Sequence, residues 1–301
     1  MEPFGPDSAS VGVTLLDCIE RQSARLTQAG VSFGHGTDNA FDEAVWLVLW
    51  RLGLPLDDLD GVAARELTAD EQAAIDLLVG QRIDQRVPAA YLTGEAWLQG
   101  VPFTVDERVI VPRSLIAELI VDGTLDTWLH TGISSVLDLC TGNGSLAVLS
   151  ALAWPAAHID AADLSPDALA VARLNVERHD LAERITLLQG DGLGAVPGRR
   201  YELIVCNPPY VNAASMAALP AEYRAEPALA LAGGDDGMDF VRALLANARD
   251  HLNDGGALVV EIGHEAAPFE AAFPALEFAY LPTRTTDDQV VLVTREQLLS
   301  S

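Results

Sequence analysis

Tyr201-Glu202-Leu203-Ile204-Val205-Cys206-Asn207-Pro208-Pro209-Tyr210 is an apolar run that stops on an amide, two prolines and an aromatic ring. A run of this length, closed by turn residues, reads as a parallel strand covered on both faces. Ligands in such sheets collect just beyond the carboxyl ends of the strands, which places Asn207 to Tyr210 in a cleft. Asn207 offers a side-chain carbonyl. Pro208 and Pro209 lack an N–H and have fixed φ, so their backbone presents carbonyl oxygens stiffly. Two acceptors side by side suit a substrate NH2 group, and the Tyr210 ring can stack on the plane that carries it. Taken alone, the tetrapeptide is equally a turn that ends a strand.

What surrounds it favours the cleft. Ser135–Leu139, His158–Asp163 and Ile185–Gln189 read as strands, with helices over about 145–153 and from Ser165-Pro166-Asp167, an N-cap followed by a first-turn proline and acid, to about His179. A helix over 238–252, a strand over 257–262 and two weaker strands over 277–281 and 289–294 follow. This alternation predicts an α/β, doubly wound parallel sheet.

The first part of the chain is different. Leu15, Leu16, Ile19 and Leu26 recur at helical spacing before Gly30; a second helix spans about 39–52, and Thr68 with Glu71 has the capping-box form ahead of a third. Two β-prone runs around Gly100 predict a hairpin reaching toward the cleft, and Ser114 reads as the cap of a helix through Val121. The expected organisation is a helical substrate-docking domain over 1–88, a β-hairpin connector over 89–112 and the α/β domain over 113–301.

Asp138-Leu139-Cys140-Thr141-Gly142-Asn143-Gly144 lies between the first strand of the sheet and its helix, where glycines let the backbone approach a ligand. Asp163, followed by Leu164, ends the second strand, where a carboxylate reaches ribose hydroxyls; Asp191-Gly192 ends the third, where an acid meets an adenine amino group. With Asn207 these are four ligand-facing positions at carboxyl ends of neighbouring strands. The dinucleotide fingerprint fails, because its third glycine falls on Ala147, so an NAD enzyme is the weaker reading.

The set resembles the S-adenosylmethionine-dependent methyltransferases, with Cys140 in the place of the first glycine of their first motif. Together with Val111-Pro112-Arg113-Ser114 and the helical start, it is similar to the protein-(glutamine-N5) methyltransferases. Pro112–Ile120, Leu219–Pro227 and Gly233-Gly234-Asp235-Asp236-Gly237 are most similar to the branch acting on large-subunit ribosomal protein three. The resemblance implies a Rossmann-like class I fold and transfer of a methyl from S-adenosyl-L-methionine to a glutamine amide, leaving S-adenosyl-L-homocysteine. It implies cofactor contacts at Asp138, Cys140, Thr141, Gly142, Asn143, Gly144, Asp163, Leu164, Asp191, Gly192 and Asn207. It further implies catalytic roles for Asn207, Pro208 and Tyr210, and substrate contacts at Asn207, Pro208, Pro209, Tyr210 and Arg113. A release-factor glutamine methyltransferase is the alternative; a nucleic-acid adenine-N6 methyltransferase shares only Asn-Pro-Pro-Tyr.

Charge bears on that choice. The 301 residues hold 44 acids against 18 basic residues, all arginine, for a formal charge of −26. Residues 1–90 carry 6 basic and 15 acidic side chains and residues 113–301 carry 11 and 26, so neither region hides a basic patch. Phosphate backbones call for a cationic footprint, so a nucleic-acid substrate is disfavoured and a basic protein, such as a ribosomal protein, is favoured. A lysine-free acidic surface is equally produced by genome composition or a salty cytoplasm. The three cysteines and six histidines show no metal-ligand spacing, and no metal is expected. No run is long enough for a membrane span, and Met1 to Asp7 lack the basic start of a signal peptide, giving the expectation of a cytoplasmic protein.

Overall fold

A computed structural model describes residues 12–129 and 133–300. The opening stretch read for a signal peptide lies outside them. The chain divides into two compact units between Thr93 and Gly94.

In the first unit α1 (Leu15–Ala29) starts on a capping box: Asp17 N donates to Thr14 Oγ1 (3.1 Å) and Thr14 N to Asp17 Oδ2 (3.0 Å). Gly30, at φ +59, ends it. The other helices are α2 (Ala40–Arg51), α3 (Leu59–Val62), α4 (Ala69–Gln85) and α5 (Ala89–Thr93), with Thr68 and Glu71 boxing the start of α4 as expected. Leu15, Ile19, Leu47, Val48, Ile75 and Val79 share one core. Apolar periodicity could not show that this core holds a charge pair. Arg82 Nε donates to Glu43 Oε1 at 2.8 Å, each side chain 1% exposed, and Arg82 also reaches the Ser32 carbonyl (2.7 Å).

The second unit opens with the hairpin β1 (Glu95–Leu98) and β2 (Val101–Thr104), whose two turn residues Gln99 and Gly100 both have positive φ (51° and 76°), the geometry that matches strand twist. Leu98 and Phe103 pack into the core on one face of the main sheet, so the hairpin itself lies against that face rather than over the cleft. Then come α6 (Ile116–Val121), β3 (Ser135–Leu139), α7 (Ser145–Ala153), β4 (His158–Asp163), α8 (Pro166–Arg178), β5 (Ile185–Gln189), β6 (Tyr201–Cys206), α9 (Ala213–Ala218), α10 (Asp239–Ala248), β7 (Leu252–Glu261), α11 (Ala266–Ala272), β8 (Ala279–Tyr280), β9 (Val290–Thr294) and α12 (Arg295–Ser300).

The seven strands are ordered β5-β4-β3-β6-β7-β9-β8. From β5 to β7 all neighbours are parallel; β9 is antiparallel to both β7 and β8, so the sheet is mixed, not wholly parallel. The cause is topological: β9 returns directly after β8 and inserts beside β7. Alternate residues of the central strands serve opposite cores, Val136, Leu203 and Val205 facing α6 to α8, and Leu137, Leu139 and Ile204 facing α10 to α12. Strand order reverses between β3 and β6, and their register pairs Leu139 with Cys206. The glycine loop after β3 and Asn207 after β6 therefore emerge side by side at the switch point.

Candidate active site

Cys140 leaves β3 at φ +61, a left-handed conformation that is strained for any residue with a Cβ, which is why a glycine suits this place. Gly142 (φ +55) has open space where a Cβ would stand, and its N–H donates to Asp163 Oδ2 at 2.9 Å. Gly144 is a packing glycine: a Cβ there would lie 3.2 Å from that of Ala172 on α8, and Gly144 lines none of the cavities described below. Asp138 also departs from its expected place. It is wholly buried beneath the loop, where Oδ2 accepts from Thr141 Oγ1 (2.5 Å) and Ala147 N (2.9 Å), tying the two ends of the loop together. Burial pushes its carboxyl up to about 7. Asn175 of α8 secures the loop from outside, donating to the Asn143 carbonyl (2.8 Å) while it brackets Thr104 of the hairpin (2.7 and 2.9 Å).

A cleft opens above the carboxyl ends. Its walls are Cys140 and Gly142, Asp163 and Leu164 after β4, Asp191 and Gly192 after β5, and Asn207 and Pro209 after β6. Its roof is Arg108, Val109 and Ile110 with Pro227, Leu229 and Ala230. Asp163 turns one oxygen to Gly142 N and the other to Ser165 N (2.8 Å); burial pushes its carboxyl up and these backbone donors work against the shift. Thr141 and Asn143 line a smaller adjoining cavity together with Ser114. Asn143 Nδ2 is buried there with no hydrogen-bond partner among the described residues.

A further cavity is lined by Arg113, Pro208, Tyr210, Tyr223 and His264. Asn207 lines this cavity and the cleft alike. Tyr210 is held on several sides. A Cβ on Gly233 would meet Tyr210 Cα at 2.7 Å, one on Gly237 would collide with its carbonyl oxygen, and one on Gly263 with its ring. Its hydroxyl donates to Glu261 Oε1 at 3.0 Å. Arg113, expected to touch substrate, lines this cavity and closes on the buried Glu226 with both terminal nitrogens (2.7 Å each), lying over the Tyr223 ring, 5.4 Å from its centroid. Burial works against the Arg113 charge, and the hydrogen bond and charge of Glu226 overcome it, so its pKa rises. Glu226 Oε1 also accepts from Val111 N (2.9 Å), tying the connector to the stretch that roofs the cleft.

The chain is 55% identical over 288 residues to a ribosomal protein uL3 glutamine methyltransferase of Bordetella pertussis, spanning 95% of this chain and 96% of that protein. A protein of the same name from Burkholderia pseudomallei is 52% identical over 294 residues, 95% of each chain. This chain belongs to that methyltransferase family. Residues 123–222 match the methyltransferase small domain. Among solved structures, the human METTL16 catalytic domain in complex with MAT2A 3'UTR hairpin 1 shares the fold at a TM-score of 0.50 and 15% identity, covering 79% of this chain and 85% of that one. No helix among the described residues is long and apolar enough to cross a membrane.

The methyltransferase motifs named the family; several residues that build its site were not legible. Phe240 in the first turn of α10 lines the cleft, and only its apolar character marked it. Glu226 sat within a quoted family-like segment without a role. Glu261 had the clearest signal, a single acid closing the apolar run Leu258-Val259-Val260. Ser114 was read as a helix cap, yet α6 begins at Ile116 after Leu115, and although Ser114 Oγ accepts from Ile116 N (3.3 Å), its hydroxyl donates to Glu261 Oε2 at 2.6 Å.

Proposed function

We propose that this methyltransferase transfers the methyl group of S-adenosyl-L-methionine to the side-chain amide nitrogen of a glutamine in ribosomal protein uL3. The observation that carries the reading is Asn207, the acceptor-type side chain standing on the wall common to the cleft at the strand ends and a second cavity. The residues of the cleft fit the cofactor. Each oxygen of Asp163 keeps lone pairs for ribose hydroxyls, Asp191 and Phe240 stand where adenine would lie, and in the adjoining cavity the unpartnered Asn143 Nδ2 is a donor suited to a carboxylate. Bound there, S-adenosyl-L-methionine supplies an electrophilic methyl carbon on a sulfonium.

The difficulty of the reaction is the nucleophile, since an amide lone pair is delocalised into its carbonyl. The Asn207 side-chain carbonyl and the Pro208 main-chain carbonyl each accept one N–H of the substrate amide, turning its nitrogen toward the cleft and stabilising positive charge as it develops. Tyr210 lies against the amide plane and excludes water. The product amide, cationic before it loses a proton, is acidic enough to give that proton to water, and no histidine or cysteine base is needed.

The substrate assignment is supported by the names of the relatives and by charge. A chain of formal charge −26 attracts a basic ribosomal protein in the cytoplasm, and the helical unit is the assigned docking module. The test is methyl transfer from labelled cofactor to purified uL3, a peptide-chain release factor and naked ribosomal RNA, with mass mapping of the product. Label on one glutamine of uL3 is expected. Label on the release factor alone overturns the substrate, and label on RNA overturns the protein-acceptor reading.

A further inference from the structure

We infer that Glu261 is a positioning residue for transfer: it fixes the Tyr210 ring in the plane the acceptor amide will meet, and Ser114 fixes Glu261. The inference rests on the proposed reading that Tyr210 faces that amide. Glu261 ends β7, the neighbour of β6, and the register pairing Cys206 with Val260 sets Glu261 beside Asn207. Its side chain is buried (3% exposed), a costly place for a carboxylate unless its oxygens are satisfied. Three donors satisfy them: Tyr210 OH on Oε1 at 3.0 Å, and Ser114 Oγ (2.6 Å) and Leu115 N (2.9 Å) on Oε2. All three are O–H or N–H groups, so the site is built for the ionised carboxylate. Ser114 and Leu115 directly follow Ile110 and Arg113, and Tyr210 follows Asn207 and Pro208, so Glu261 joins the two segments that line the second cavity.

Two consequences follow for Tyr210. With Gly263 leaving room only for the ring's edge and Glu261 holding the hydroxyl, both side-chain torsions are set before substrate arrives, which lowers the ordering cost at the moment of reaction. The hydroxyl is also already donated, so Tyr210 acts on the acceptor through its ring face and not through its O–H. Hydrogen bonding to a carboxylate enriches that face in electron density, which suits a nitrogen acquiring positive charge.

The test is a double-mutant cycle of Glu261→Gln and Tyr210→Phe, reading kcat, KM for uL3, cofactor affinity by calorimetry and Tm. Each single variant is expected to lose about tenfold to a hundredfold in kcat. Cofactor affinity should hold within about twofold, and the double variant should be no slower than the slower single, since both cut the same link. Additive losses overturn the proposal. Should Glu261→Gln fail to fold, the cycle of Ser114→Ala with Tyr210→Phe asks the same question, with a smaller loss from Ser114→Ala that vanishes in the Tyr210→Phe background. A readout independent of acceptor is the 19F spectrum of the chain labelled with 3-fluorotyrosine, in which five tyrosines give five resonances. The Tyr210 line, assigned from Tyr210→Phe, should move toward free fluorotyrosine in Glu261→Gln. An unmoved line overturns the positioning role whatever the substrate. No transfer to uL3 by the wild-type chain, with that line moving, overturns the functional reading and leaves the positioning intact.

Discussion

Arg113→Met separates a substrate contact from a structural one. The substitution keeps an apolar stem and removes the guanidinium, leaving Glu226, whose side chain is 0% exposed, without its bidentate partner. Breaking a fully buried ion pair costs about 3–5 kcal/mol. Here the Arg113 side chain is 26% exposed and the Val111 N–H still donates to Glu226, so about 2–3 kcal/mol is the fitting figure. At roughly 2–4 °C per kcal/mol for a unit of this size, scanning calorimetry of the full chain should show the transition of the second unit lowered by roughly 5–10 °C. Glu226 abuts Pro227 of the roof, so cofactor affinity should fall in the same variant. Arg113→Met with Glu226→Leu removes both charges and should recover most of the stability. A direct substrate contact predicts something else, a raised KM for uL3 with the transition unmoved. A transition within about 1 °C of wild type, with cofactor affinity unchanged, would refute the ion-pair argument and return Arg113 to the substrate.

Asp138→Asn tests the acid under the loop: burial lifts its carboxyl to about 7 from roughly 4 in the unfolded chain, so the folded state holds the extra proton and wild-type stability is lost as pH rises through that window. Denaturant midpoints should fall for wild type between roughly pH 4 and 7 and stay flatter for the variant; parallel curves would contradict the assignment. Asp163→Ala should weaken cofactor binding at least tenfold in calorimetry, roughly 1.4 kcal/mol, and unchanged affinity removes the residue from its role. Asn207→Ala should keep cofactor affinity within a few fold and lose nearly all transfer, while Asn207→Asp, which retains two acceptors, keeps some. Normal turnover by the alanine variant sinks the amide clamp.

The strands that carry the site were legible because each is a short apolar run ending in chemistry. Ser135–Leu139, His158–Asp163, Ile185–Gln189 and Tyr201–Cys206 begin and end where apolarity and turn residues set them. The helix capped by Ser165 was equally local, its hydroxyl accepting from Ala168 N at 3.2 Å. What failed was non-local. The direction of β9 depends on where the chain returns, which no window of sequence records. The start of β7 at Leu252 was hidden by Asn253-Asp254-Gly255-Gly256, a turn-like string that pairs with β6 across a register shift. For the same reason the expected long helix stops at Ala248, followed by a single 3-10 turn over Arg249–His251. Cys140 shows the limit inside a motif: the sequence shows only that a glycine has been replaced, whereas the geometry shows the left-handed turn retained at the expense of strain.

Three buried acids, none predicted in its observed role, set the accuracy of the site. Asp138 closes the glycine loop from below, Glu226 ties the connector to the roof, and Glu261 holds the aromatic plane. With 18 arginines against 44 acids the chain cannot give each a cation, and among these three only Glu226 has a direct one. Asp138 and Glu261 rely on hydroxyl and backbone donors, which cancel less of the desolvation penalty, and burial pushes both carboxyls upward. The two arrangements fail differently. Loss of an arginine partner strands a charge and shows first as lost stability, whereas loss of one hydroxyl among several donors leaves the carboxylate partly satisfied and shows first as lost geometry. The roof over the cleft is therefore held by an ion pair, and the Tyr210 ring by a network whose weakening, under the proposed function, is read in turnover before it is read in melting.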